Sequence, residues 1–201
     1  MVYKVIKMAG RRKIFNEEEV IGKASKVFWK TGFEASSAEE ILAAMGIGQG
    51  SFYNTFKGGK LELYERSLYQ FTKEFEKEFL EDMLRADDGI GNIKRFFISL
   101  ASESIESRMF GCYLGNAMVQ LTEKEMAVKK IAIGLLKRVE QIFVKVIEKA
   151  QKNGRMKNLT DAKLLGRYLI NLWNGIYMTR RMGYTTEQLR ALIELNLELL
   201  K

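Results

Sequence analysis

The chain has 201 residues, 47% of them hydrophobic and 29% charged, which is ordinary for a soluble globular protein of one or two compact units. A net charge of +8 and a pI near 9.4 suit a polyanionic partner without requiring one. With no histidine, no proline and one cysteine, the sequence excludes histidine acid–base or metal chemistry, thiolate zinc clusters and intramolecular disulfides, and it favours long uninterrupted helices.

Residues 1–15 are expected as a flexible basic arm carrying Lys4, Lys7, Arg11, Arg12 and Lys13. Such an arm is either a solvated tail or a segment that reaches phosphates or a minor groove, and Met8 opens an equally plausible start. MVYKVIKMAGRRK has no sustained apolar core before a cleavage site, and no apolar run approaches the roughly 18 to 20 residues of a membrane span. A cytoplasmic protein is expected.

Asn16 then caps a first helix, with Glu17, Glu18 and Glu19 in its first turn and Val20, Ile21, Ala24, Val27 and Phe28 as the buried stripe. Gly32 ends it. Ser37 and Glu40 form a capping box for a second helix carrying Ile41, Leu42 and Met45, and Gly46 supplies a left-handed C-cap. The run Gln49 to Phe56 makes a third, short helix. Its polar members, Gln49, Ser51, Tyr53, Asn54 and Thr55, carry both donors and acceptors, as a helix in a major groove must. The two short helices and their tight turn read as a helix-turn-helix.

From Lys60 a long fourth helix places Leu61, Tyr64, Leu68, Phe71, Phe75 and Phe79 at steps of three and four, ending near Asp87-Asp88-Gly89. It starts beside the expected reading head and is the natural lever into the rest of the chain. Ile93, Phe96, Phe97 and Leu100 mark a fifth helix, and Gly111 to Asn116 opens a sixth, ending near Leu121. Thr122 with Glu125 is read as the capping box of a seventh, stopped by Gly154. Thr160 and Asp161 start an eighth, ended by Gly183, and Thr185 with Gln188 starts a ninth. The expected fold is therefore all-α, about nine helices. A helix-turn-helix domain over residues 16–59 precedes a helical domain over residues 60–201. The last two helices carry broader apolar surfaces than one packing seam uses, so a second copy is expected to complete a four-helix bundle.

The residues Gly32, Ser36, Ser37, Ile41, Gly46, Ile47, Gly50, Ser51, Phe52, Tyr53 and Phe56 form a dense pattern. Over roughly Val20 to Leu68 it resembles the TetR/AcrR family of bacterial transcriptional regulators. One departure is visible. That family usually has a lysine three residues after the phenylalanine, whereas Phe56 is followed here by Lys57-Gly58-Gly59-Lys60. Lys60 is the expected counterpart, with Lys57 as the alternative.

Chemistry nominates Gln49, Ser51, Asn54 and Thr55 to face bases, with Gly50 allowing close approach. Ser37, Tyr53 and Lys60 are expected on phosphates; the resemblance implies the backbone role for Tyr53 and Lys60. Ser36, within the matched pattern, joins the DNA-binding set. The bland alternatives are that Tyr53 packs on Phe56 and Lys60 is merely exposed. The resemblance further implies dimerisation through the last two helices and an apolar cavity for a small-molecule effector. Candidate lining residues are Phe71, Phe75, Phe97, Cys112, Asn116, Trp173 and Tyr177, each equally readable as core. Cys112 is expected as an inert buried thiol rather than a redox sensor.

The expected function is a sequence-specific DNA-binding transcriptional regulator, a repressor released from a palindromic operator by a small molecule. No catalysis, cofactor, metal or membrane is expected. The alternative is a helical adaptor or membrane-surface protein without sequence-specific DNA binding.

Overall fold

A computed structural model describes residues 15–77, 83, 85–102 and 110–201. Among them are nine α-helices: α1 (Glu17–Thr31), α2 (Ala38–Met45), α3 (Gln49–Thr55), α4 (Gly59–Phe75), α5 (Gly89–Ser99), α6 (Tyr113–Gln120), α7 (Met126–Lys152), α8 (Ala162–Arg180) and α9 (Thr186–Leu197). Short 3-10 turns follow α5 at Leu100–Ser102 and α9 at Glu198–Leu200. No strand occurs among the described residues. The basic arm, apart from Phe15, and Phe79 lie outside the described residues. So does much of the expected course of α4 towards Asp87; its winding turns π-type at 76–77.

Local chemistry accounts for most helix ends. Asn16 accepts hydrogen bonds from the Glu18 and Glu19 amides, and Gly32 closes α1 at φ 92°. The Ser37–Glu40 and Thr185–Gln188 capping boxes are both complete. Gly46 ends α2 at φ 68°, a left-handed conformation that costs glycine nothing. Two ends differ from expectation. Thr122 and Glu125 do hydrogen-bond to each other, but they close a turn ahead of α7, which begins only at Met126 with no side-chain cap. Cys112 caps α6, its sulfur accepting from the Gly115 amide at 3.3 Å.

α1 packs against α2 and α4, and α4 also meets α7, which packs on α5, α6 and α8. α9 closes the far side against α8, α5 and the turn at Leu100–Ser102. One apolar core runs through all nine helices, from Val20 to Leu200. Rings dominate its centre. Phe28 and Phe33 meet Tyr64, which meets Tyr113 at 5.8 Å; Tyr113 meets Phe71 at 5.3 Å, and Phe71 stacks on Phe75 at 6.4 Å. Phe75 in turn stacks on Trp173 at 5.4 Å. The end of α1 and the middle of α8 are thus joined by continuous aromatic contact, which resists shear because close-packed rings have few alternative arrangements.

Candidate nucleic-acid interface and effector site

α3 has too few residues to be stable alone, so its position comes from what it buries. Phe52 and Phe56 are its anchors, the latter fully buried. Arg66 of α4 lies over the Phe56 ring at 5.2 Å and forms ion pairs with Glu17 and Glu62, tying α4 to the start of α1 beneath α3. With those two rings turned inward, Gln49, Gly50, Ser51, Tyr53 and Asn54 are exposed, and Thr55 is partly so. A Cβ added at Gly50 would meet nothing within 4 Å, so nothing inside the chain demands glycine there. The Tyr53 ring stands edge-on to Phe52 at 5.0 Å, not against Phe56, and remains 49% exposed.

The expected DNA-facing set is not wholly brought together. Ser36 is 1% exposed, and its hydroxyl donates to the Phe33 carbonyl at 3.0 Å. This corrects its expected place on the DNA-facing surface: the serine closes the loop after α1. Ser37 is exposed, but its oxygen accepts from the Glu40 amide at 3.1 Å as the cap of α2. Lys60 is not merely exposed either. Its ammonium donates to the Glu34 carbonyl at 3.3 Å and sits 4.8 Å above the Phe33 ring, pinning the start of α4 to the α1–α2 loop. Lys57 is exposed. The additional residue before Lys60 is absorbed by a glycine turn: the Gly59 amide donates to the Phe56 carbonyl at 2.9 Å, with Gly59 at φ 65°.

The expected effector residues fall into two groups. Cys112, Asn116 and Tyr177 line a cleft of about 290 Å³ between α6 and α8, together with Asn174, Met178 and Arg181. Phe71, Phe75, Phe97 and Trp173 do not line it. They belong to the ring cluster, where Trp173 meets Phe75, Phe96 and Tyr177, and Phe97 is fully buried against Phe143 at 6.0 Å. Tyr177 touches both, with its ring 6.5 Å from Trp173. Burial pushes the Cys112 thiol up to about 11, against weaker opposing hydrogen bonds from the Gly115 and Leu114 amides. That sulfur is a helix cap in an apolar setting, not an activated nucleophile.

Sequence reasoning missed the residues that join this region to α1. The Trp29 indole N–H donates to the Gly111 carbonyl at 2.8 Å, and the Phe33 amide donates to the Gln120 side-chain oxygen at 3.2 Å. The two ends of α6 therefore hold the end of α1. Between them, the Ser67 and Tyr113 hydroxyls share a buried hydrogen bond of 2.7 Å linking α4 to α6. No helix among the described residues is long and apolar enough to cross a membrane.

Comparison with known proteins extends this picture. A family model for bacterial regulatory proteins of the tetR family matches residues 20–66, and one for a tetracyclin repressor-like C-terminal domain matches residues 95–195. The chain is similar to the HTH-type transcriptional repressor DhaR of Mycobacterium sp. (strain GP1), 24% identical over 180 residues that span 86% of this chain and 85% of that protein. It is also similar to the HTH-type transcriptional repressor ComR of Escherichia coli (strain K12), 21% identical over 199 residues, 97% of this chain and 93% of that one. The structure of the TetR family regulator CifR, a cysteine mutant complexed with 26-base-pair operator DNA, matches with a TM-score of 0.80 at 21% identity. That match covers 94% of this chain and 98% of that chain, and it bears on the fold.

Proposed function

This chain belongs to the TetR family of bacterial regulatory proteins, and we propose that it is a homodimeric repressor released from a palindromic operator by a small molecule. Residues 16–59 are its reading head and residues 60–201 its effector-binding and dimerising part. One observation carries the reading. α3 turns Gln49, Gly50, Ser51, Tyr53 and Asn54 outward on rings fixed beneath it, and the adjoining α4 carries Phe75 against Trp173. Asn54 and Gln49 suit bidentate contacts to adenine, and Ser51 and Thr55 suit either base type. Tyr53, Lys57 and Lys60 fit the phosphates, and Ser37 can still donate its hydroxyl proton while capping α2.

A second copy suits the last two helices. Leu164, Gly175 and Met178 share one exposed face of α8, and Leu192 and Leu195 are exposed on α9, away from its buried stripe of Leu189, Ile193 and Leu197, with Leu199 exposed in the 3-10 turn that follows. Paired across a two-fold axis these faces form a four-helix bundle and set two copies of α3 to read two half-sites. An effector among the α4, α6 and α8 side chains would act on the operator by favouring one arrangement of the two heads.

The test is selection of the full chain against a random duplex pool, with binding followed against salt. A two-fold symmetric consensus with half-sites about one helical turn apart, or a multiple, is expected. Binding indifferent to sequence, with only a steep salt slope, would leave positive charge as the whole explanation.

A further inference from the structure

Trp173 is 4% exposed, and its indole Nε1–H is buried without a hydrogen-bond partner. Indole has one polar group, which can only donate. Leaving it unpaired inside a protein costs on the order of 1–3 kcal/mol, so buried orphans of this kind are rare and mark a missing acceptor. Trp29 shows the usual outcome in the same chain, its N–H donating to Gly111 at 2.8 Å. The indole is packed between the rings of Phe75 at 5.4 Å, Phe96 at 5.2 Å and Tyr177 at 6.5 Å.

We infer that the effector is a flat, unsaturated molecule bearing a hydrogen-bond acceptor oxygen, such as an aryl ketone, and that Trp173 Nε1–H donates to that oxygen. This rests on the reading of the protein as a ligand-released regulator and gives its effector a chemical class. Flatness follows from the setting. Phe75 stacks on Trp173 with 27° between ring planes, so a planar molecule inserts beside the indole by displacing one ring. Phe75 is the ring placed to yield, because it is only partly buried and lies stacked on the indole, whereas Phe96 meets it edge-on. α4 spans 17 residues, or about 25 Å, and its first turn holds Lys60 against Glu34 and Phe33 beside the reading head. A shift at Phe75 therefore reaches α3 through one rigid element.

The test uses the full-length chain and two probes of matched shape, 2-acetylnaphthalene and 2-isopropylnaphthalene, only the first of which has an acceptor oxygen. The ketone is expected to bind the unaltered protein about ten- to a hundredfold more tightly than the hydrocarbon. In Trp173→Phe, which keeps a ring and loses the donor, that preference is expected to disappear while the hydrocarbon still binds. NMR on the unaltered protein gives a readout that does not depend on Trp173→Phe folding. The chain has two tryptophans, hence two indole N–H resonances, and Trp29→Phe identifies which is which. The Trp173 resonance is expected to move downfield with the ketone and not with the hydrocarbon. Equal affinity for the two probes, failure of the ketone to bind, or a ketone preference that survives in Trp173→Phe would overturn the inference. Release of the selected operator is scored separately. Ketone binding with the expected indole shift but an intact DNA complex would sink the release mechanism while leaving the site standing.

Discussion

The Trp29 indole N–H on α1 donates to the carbonyl of Gly111, 82 residues away, at the turn leading into α6. The other end of α6 meets the same helix end through Gln120 and the Phe33 amide. Because Gly111 is buried, Trp29→Phe strands its carbonyl, and a loss of about 1–3 kcal/mol in unfolding free energy is expected. Gln120→Ala, at an exposed position, is expected to cost less than about 1 kcal/mol. Urea unfolding of the two variants checks the ranking, and equal losses would contradict it.

This junction shows where sequence reasoning runs out. Asn16, Ser37 with Glu40, and Thr185 with Gln188 were legible because a cap bonds within three residues of itself, as were the apolar stripes that follow the helix repeat. The partners of Trp29 and Phe33 lie 82 and 87 residues away, and no local pattern announces them. Ser36 misled for the same reason. It sits in a pattern associated with DNA contact, yet tertiary packing turns its hydroxyl to Phe33. Thr122 and Glu125 have capping-box spacing and do bond, but α7 starts after them. Among the effector candidates, helical spacing could nominate aromatic residues. It could not separate the cleft group of Cys112, Asn116 and Tyr177 from the packed group of Phe71, Phe75, Phe97 and Trp173.

Lys60 is expected to serve the phosphate backbone from a position fixed by Glu34 and Phe33. Lys60→Met should weaken binding to all duplexes nearly uniformly and lower the slope of log affinity against log salt by about 1. A salt titration on the selected operator and on unrelated DNA measures this. Loss confined to the operator would instead mean that Lys60 reads sequence.

α7 and α8 each carry an exposed mid-helix glycine, Gly134 and Gly175, with nothing within 4 Å of an added Cβ. Each costs its helix about 0.5–1 kcal/mol relative to alanine. Only Gly175 lies on the face proposed for dimerisation, where a second helix can approach closely. Gly175→Leu and Leu195→Glu are therefore expected to yield monomers at concentrations where Gly134→Leu remains dimeric. Sedimentation equilibrium decides it, and a dimeric Gly175→Leu would place the interface elsewhere.

Burial favours the neutral thiol of Cys112, raising its pKa from an ordinary 9.0 to about 11 in the folded chain. Its contribution to stability is therefore fully present below pH 9.0 and fades as pH rises towards 11. Iodoacetamide should label the native protein slowly at pH 8 and the urea-unfolded protein rapidly. Fast native labelling at pH 8 would revive a redox role for this cysteine.

Sequence-specific repression requires that the exposed face of α3 read bases, and repeating the duplex selection with Asn54→Ala tests this most directly. We expect the consensus to relax at one pair of symmetry-related positions, with each half-site weakened by about 1–3 kcal/mol and affinity for unrelated DNA unchanged. An unaltered consensus, or equal weakening on every sequence, would contradict it.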